Sequence, residues 1–245
     1  MRPSRMKRNK LLDRLPADVL TRLEPDLEVV TLETHKVIHR PGEKIEFLYF
    51  PLTCMISITI TMADGRTVEA GAAGSRDVVG INAFMGGRET TQTEYVTQVP
   101  GEAIKIAAAP LQIEFDRNTE LRSILLKYTQ ALIAQISQNV ACNRLHEVHN
   151  RCARWLLEVS DRVRSETFGL TQEFISEMIG TSRITVSKSM SELKDAGIID
   201  YSRGHVTILD QDALEVRSCE CYLLLQDEYD RLLGPATSHN VVGRG

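Results

Sequence analysis

Between about residues 25 and 107, turn-forming groups punctuate the chain at intervals of about 8 to 12 residues. They are Arg40-Pro41-Gly42, Pro51-Leu52-Thr53, Ala63-Asp64-Gly65, Gly71 to Gly74, Gly86-Gly87 and Pro100-Gly101. Such spacing predicts many short strands with no helix among them. Met55 to Thr61 reads M-I-S-I-T-I-T, so Ile56, Ile58 and Ile60 share one face of a pleat while Ser57, Thr59 and Thr61 share the other, as in a half-buried strand. Ile104-Lys105-Ile106 repeats the alternation. An antiparallel barrel or jelly roll hides the apolar faces of such strands.

After Pro110 the period changes. Leu121, Leu125, Tyr128, Leu132 and Ile136 recur three or four residues apart, which predicts one helix from Asn118 to Val148. At 1.5 Å per residue it is roughly 45 Å long, more than a small barrel needs. A twofold partner is the economical cover for that stripe, so these five residues are the expected dimer seam. A further helical stretch begins at Arg151-Cys152-Ala153-Arg154-Trp155, with Trp155 in a core, and Leu214, Tyr222 to Leu225 and Leu232-Leu233 suggest one or two helices covering the end of that domain.

Residues 170 to 194 read L-T-Q-E-F-I-S-E-M-I-G-T-S-R-I-T-V-S-K-S-M-S-E-L-K. Thr171 is placed to cap a helix with Phe174, Ile175 and Met178 inward, Gly180 to take a left-handed turn, and Thr181 or Ser182 to cap a second helix. In that second helix Val186, Met190 and Leu193 face inward, leaving Ile184, Ser187, Lys188 and Ser191 outside, with Arg183 at the amino-terminal edge and no acid on the face. This is a helix-turn-helix, and Arg, Lys, small hydroxyls and an aliphatic group are what a major groove is read with. Residues 196 to 208 read as two short strands around a glycine turn, a wing whose Arg203 and His205 are positioned for phosphates.

Composition narrows the partners. The 245 residues are 42% hydrophobic and 25% charged, as in a folded chain, and the longest apolar run, Ile106 to Leu111, is far short of the roughly 20 residues of a membrane span. The basic first ten residues lack a secretory apolar segment, and five scattered cysteines fit a reducing cytoplasm. A net charge of -4 means that DNA affinity must come from a local cationic patch. Eight basic and eight acidic residues balance between Arg151 and His205, yet Gly180 to Ser191 holds two basic and no acidic residues.

The order of a β-roll, a long helix, L-T-Q-E-F-I-S-E-M-I-G-T-S-R-I-T-V-S-K and the wing G-I-I-D-Y-S-R-G-H-V-T-I resembles the Crp/Fnr family of bacterial transcription regulators over almost the whole chain. The resemblance implies an α+β chain: a sensor β-roll with a basic amino-terminal segment (1–117), a dimerisation helix (118–148), a winged helix-turn-helix domain with carboxy-terminal helices (149–233) and a tail (234–245). It implies a homodimer on palindromic duplex DNA, with an effector-responsive roll and RNA polymerase as a further partner. Arg183 and Lys188 match base and backbone contacts and Gln172 a phosphate contact, so the expected DNA-binding set is Gln172, Thr181, Ser182, Arg183, Ile184, Thr185, Ser187, Lys188, Arg203 and His205. Ile184 stands where the family often has Glu.

Family members that bind cyclic AMP hold its ribose and phosphate with a Gly-Glu pair and an Arg-Ser or Arg-Thr pair; here the matching stretches read Gly80-Ile81-Asn82 and Gln92-Thr93. A buried phosphate lacks its cationic partner there, and Arg88 reads as a solvated turn residue. No cysteine precedes Cys54, so an amino-terminal iron-sulfur cluster is excluded. Cys142, His146, His149 and Cys152 lie along one side of a continuous helix at metal-ligand spacing, but read more simply as buried thiols and a hinge. Cys219-Glu220-Cys221 is weaker, since side chains two apart diverge on a strand or a helix. His35 and His39, four apart in an expected strand, read as surface residues. No cofactor, metal or catalytic constellation is expected, and the alternative to a DNA reader is a scaffold of the same fold acting through a protein partner.

Overall fold

A computed structural model describes residues 9–85 and 93–234. Helix α1 (Ala17–Leu23) precedes strands β1 (Glu28–Leu32), β2 (Val37–His39), β3 (Phe47–Pro51), β4 (Met55–Thr61), β5 (Thr67–Ala73), β6 (Glu94–Val99) and β7 (Gly101–Ala107). They form two antiparallel sheets, ordered β1-β7-β3 and β2-β6-β4-β5. Helices α2 (Ala108–Arg117) and α3 (Thr119–Leu145) follow, then α4 (Val148–Val163), β8 (Thr167–Gly169), α5 (Gln172–Ile179), α6 (Arg183–Asp195), β9 (Ile199–Ser202), β10 (His205–Ile208), α7 (Gln211–Arg217) and α8 (Cys221–Leu233). The mixed α+β architecture agrees with the sequence pattern. Only a 3-10 turn at Ile81–Phe84 interrupts the strand region among the described residues.

Strand β4 has the predicted bounds but is not half-buried. Ile56 and Ile58 enter the roll, while Ser57 and Thr59, expected outside, are 0% and 2% exposed. The reason is a cover that local periodicity does not encode: α4 lies over that face, so Met55, Ala72 and Val99 pack in one core with Trp155, Leu156 and Val159. The Ser57 hydroxyl donates to the Glu69 carboxylate (2.5 Å), and Trp155 Nε1 donates to its other oxygen (3.1 Å).

Strand β5 is an edge strand, and helices satisfy its open side. The Ala72 amide donates to Gln135 Oε1 (2.9 Å), Asn139 Nδ2 donates to the Ala70 carbonyl (3.0 Å), and Arg162 Nε donates to the Ala72 carbonyl (3.3 Å). Along α4, Glu158 accepts from Arg154 (2.5 Å) and Arg162 (2.9 Å), and all three side chains are buried. Burial pushes the Glu158 carboxyl up, and the two guanidiniums more than reverse this, so it lies below its ordinary range. A methyl group on Gly74 would lie 2.2 Å from Arg162 Cβ, which leaves glycine alone able to let helix and strand meet.

The long helix also differs from expectation. Asn118 accepts from the Leu121 amide (2.9 Å) and separates α2 from α3, and α3 stops at Leu145 because His146 is extended (φ -103°, ψ 147°). The expected seam faces the chain's own roll. Leu121, Leu125 and Tyr128 are fully buried there, Tyr128 donates to the Val78 carbonyl (2.8 Å), and Leu132 and Ile136 are half-buried, with Ile136 beside Gly71. The apolar side chains that α3 leaves outside are Leu126, Ile133, Val140 and Leu145. Helix α8 does more than cap the last domain: it packs along α3, and Tyr229 and Leu232 join the core of the roll.

His35 is an exposed left-handed turn residue (φ 62°) preceding β2, so the two histidines do not share a strand. His39, expected on the surface, is buried edge-on between Tyr49 and Tyr95, and burial pulls its pKa down to about 4. Glu69 is shifted the other way, to about 7, by burial that its Ser57 bond only partly offsets. From pH 4 to 6.5 the unfolded chain binds the proton that His39 refuses, so His39 makes stability rise with pH; from 4.5 to 7 the folded chain holds the extra proton on Glu69, so Glu69 makes it fall. The two slopes oppose each other. Glu69→Gln removes the second, and thermal unfolding is expected to show stability climbing through that interval, with a gain of about 3 kcal/mol at most over the parent at pH 7.5. A variant less stable than the parent at that pH would contradict a strained carboxylate.

Candidate nucleic-acid interface

The helix-turn-helix is built by its caps. Thr171 accepts from the Phe174 amide (3.2 Å) to start α5, Gly180 turns with φ 68°, and Ser182 accepts from the Thr185 amide (3.1 Å) to start α6. Ile175, Met178, Val186, Met190 and Leu193 face one core, with Phe174 packed at its margin. These are the positions that the spacing marks as inward.

The opposite face of α6 is open. Arg183, Ile184 and Lys188 are exposed, Ile184 at 83%, and with Gln172, Ser187 and Ser191 they border one shallow depression between the starts of α5 and α6. The structure thus gathers five of the ten expected contact residues in one place: Gln172, Arg183, Ile184, Ser187 and Lys188. Ser182 and Thr185 lie beside them but bond each other through their hydroxyls (2.8 Å), with Ser182 also serving as the cap. Thr181 instead faces a crevice between α5 and the roll. The face is not free of acid as the spacing suggests, because Glu192, one turn beyond Lys188, approaches its ammonium to 3.9 Å. Both side chains are largely exposed, so the pair is weak and leaves the lysine available.

The wing is a two-residue hairpin. Arg203 (φ 50°) and Gly204 (φ 76°) form its tip between β9 and β10, the left-handed pair that matches strand twist in such turns. Strand β8 pairs with β10 on the other side. Lys194 joins α6 to the wing through Asp200 (2.9 Å) and the Tyr201 carbonyl (3.0 Å), and the Leu170 amide donates to the Gly204 carbonyl (2.7 Å). Arg203 is exposed at the tip, whereas His205, also exposed, borders a second crevice with His35 and Gly169 and lies apart from the α6 depression.

The domain is seated on the roll through contacts not anticipated from sequence. A methyl group on Gly180 would lie 3.3 Å from Val68 of β5, and Arg151 donates to Asn143 (2.8 Å) and to the Ile179 carbonyl, bridging the end of α3 to the end of α5. Arg151, Arg154, Glu158 and Arg162 of α4 are buried, so the balance of charge between Arg151 and His205 misstates what this domain shows to solvent. Of the cyclic AMP positions, Gly80 takes φ 95° and Asn82 accepts from the Tyr95 hydroxyl (3.4 Å), whereas Arg88 and Gln92 lie outside the described residues. The spacing Cys142, His146, His149 and Cys152 does not lie on one helix, since the chain is extended at His146.

Residues 150–217 match the Crp-like helix-turn-helix domain. The CRP-like cAMP-activated global transcriptional regulator of Mycobacterium tuberculosis is 25% identical over 204 residues, covering 80% of this chain and 90% of that protein. The global nitrogen regulator of a Nostoc species is 22% identical, covering 74% and 84%. Among solved structures, FixK2 from Bradyrhizobium japonicum superposes with a TM-score of 0.67 at 16% identity, over 79% of this chain and 98% of that one. The c-di-GMP responsive regulator CLP of Xanthomonas campestris gives 0.63 at 17% identity, over 79% and 99%.

Seating of the domain on β5 is open to test. Gly74→Ala is expected to cost about 1 to 3 kcal/mol, since the new methyl group meets Arg162 backbone and side chain alike. Unchanged chemical denaturation would mean that α4 does not rest on this strand.

Proposed function

We propose that this chain, a CRP-like DNA-binding transcription regulator of the Crp/Fnr family, reads palindromic duplex DNA as a homodimer through the outer face of α6. The observation that carries the reading is the uncovered set of Arg183, Ile184, Ser187 and Lys188 on one helix anchored by Val186, Met190 and Leu193. A major groove admits one such helix. Arg183 at its amino-terminal end supplies a donor fork suited to a guanine edge, Lys188 a phosphate or base contact, and Ile184 an apolar partner for a thymine methyl. Gln172 at the start of α5 and Arg203 at the wing tip take backbone phosphates.

The proposed dimer seam is a different stripe of α3. Leu126, Ile133 and Val140 are 54%, 58% and 68% exposed and recur every seven residues, on the side of α3 turned away from its own roll. Ser123, Gln130 and Ser137 interleave with them at three-and-four spacing, the register of a two-helix seam. A second α3 laid along this stripe covers it and presents two copies of α6 by symmetry. A signal received by the roll reaches α6 through β5, which touches α3, α4 and the turn at Gly180 together.

Binding to random duplex is expected to be weak and to fall steeply with salt. Arg183→Ala is expected to lose about 1 to 3 kcal/mol on the preferred site and less on random duplex; equal losses on both would remove the base-reading role. Ile133→Asp is expected to yield a folded monomer by light scattering with weakened DNA binding, whereas Leu125→Asp, at a position 1% exposed, unfolds the chain. A dimer that survives Ile133→Asp would place the seam elsewhere.

A further inference from the structure

Two stretches distant in sequence, residues 142–146 and 219–221, meet where α3 ends. Cys142 comes from the last turn of α3, His146 from the extended break before α4, Cys219 from the connection between α7 and α8, and Cys221 from the first turn of α8. Their donor atoms all lie within 4.8 Å of one another. Cys142 Sγ is 3.5 Å from Cys219 Sγ, and Cys221 Sγ is 3.4 Å from His146 Nδ1. Two sulfurs on one tetrahedral zinc, each at about 2.3 Å, stand about 3.8 Å apart, so these separations fit a single ion. A cluster that holds its thiolates on separate irons needs them farther apart.

The surroundings separate this group from ordinary buried thiols. Cys54 and Cys152 sit among aliphatic and aromatic side chains of two cores. Cys142, Cys219 and Cys221 are equally buried, yet they form a separate cluster made of cysteines alone. His146 Nε2 is 3.1 Å from a Glu220 carboxylate oxygen, an acceptor that suits the tautomer with its proton on Nε2, while Nδ1 faces the Cys221 sulfur. A carboxylate behind the far nitrogen is the usual support of a metal-bound imidazole. Gln138 Nε2 donates to Cys221 Sγ (3.0 Å), and the charges of Arg151 and Arg154 act on Cys142 and Cys219.

We propose that Cys142, His146, Cys219 and Cys221 bind one zinc ion as a closed tetrahedral site that clasps α8 to the hinge between α3 and α4. Three thiol protons pass to solvent as three sulfur–zinc bonds form, and the neutral imidazole supplies the fourth ligand. Three thiolates and a divalent cation leave one net negative charge, opposite in sign to the neighbouring guanidiniums. With four protein ligands the site is structural and has no open position for chemistry. The proposal is independent of DNA reading, since it concerns the hinge and not the outer face of α6. It replaces the helical Cys142, His146, His149 and Cys152 set with one that the fold assembles.

The test uses the full chain, purified under reducing conditions without chelator. Elemental analysis is expected to find about one zinc per chain, and chelator treatment to lower the melting temperature. Cobalt added to the chelator-treated chain is expected to develop the intense visible bands and near-ultraviolet sulfur charge transfer of tetrahedral thiolate coordination, saturating at equimolar metal. Cys221→Ser and His146→Ala are expected to weaken metal retention, while Cys54→Ser and Cys152→Ser keep it. A metal-free chain that gives no such cobalt spectrum would overturn the site. So would metal content untouched by Cys221→Ser, or a Cys142–Cys219 disulfide as the native state by non-reducing mass analysis. If Cys221→Ser does not fold, the cobalt spectrum of the parent chain decides alone.

Discussion

An edge strand must find partners for its open backbone, and in this chain the roll, α3, α4 and the turn at Gly180 all meet at β5. β5 gives its free amide and carbonyl groups to Gln135 and Asn139 of α3 and to Arg162 of α4, while Val68 touches the turn between α5 and α6. An unpaired buried peptide group costs about 1 to 3 kcal/mol, so these side chains hold two domains together by satisfying one strand. The Arg154, Glu158 and Arg162 ladder continues the same logic, because two buried guanidiniums share one buried carboxylate along a single face of α4. Such a ladder holds orientation more than it adds stability, since desolvation offsets much of the attraction.

From that seat the rest follows. Because α4 covers the outer face of β4, the winged domain is carried by the roll and leaves α6 pointing away from it. Arg183, Ile184, Ser187 and Lys188 are then a rigidly presented surface, fixed by two capped helices and by Lys194 anchoring the wing. The buried Glu69 lies inside this joint, bonded to Ser57 of the roll and to Trp155 of α4, so protonation and domain contact are linked at one carboxylate.

Much of this was legible in the residues themselves. The strand alternation at Met55 to Thr61, the caps at Thr171 and Ser182, the left-handed Gly180 and the inward Val186, Met190 and Leu193 are local signals, and local geometry obeys them. What sequence reading missed depends on contacts between distant segments. Helical period marks Leu121, Leu125 and Tyr128 as apolar but does not say whether a roll or a second chain covers them; the roll does. Ser57 reads as solvent-facing until α4 lies over it. The rule that side chains two apart diverge assumes regular structure, whereas Cys219 sits in a connection and Cys221 opens a helix, so both point at Cys142. The signal was a Cys-x-Cys pair and a Cys-x-x-x-His pair in one chain, and neither spacing is telling until the fold joins them.

The proposed function requires the outer face of α6 to read base sequence and to be presented twice. Selection of bound sites from a random duplex pool addresses this most directly. The expected product is an inverted repeat whose half-sites are separated by about one helical turn, centre to centre. Recovery of no enriched sequence, or of a single unrepeated element bound equally well by a chain lacking the Arg183 and Lys188 side chains, would contradict it.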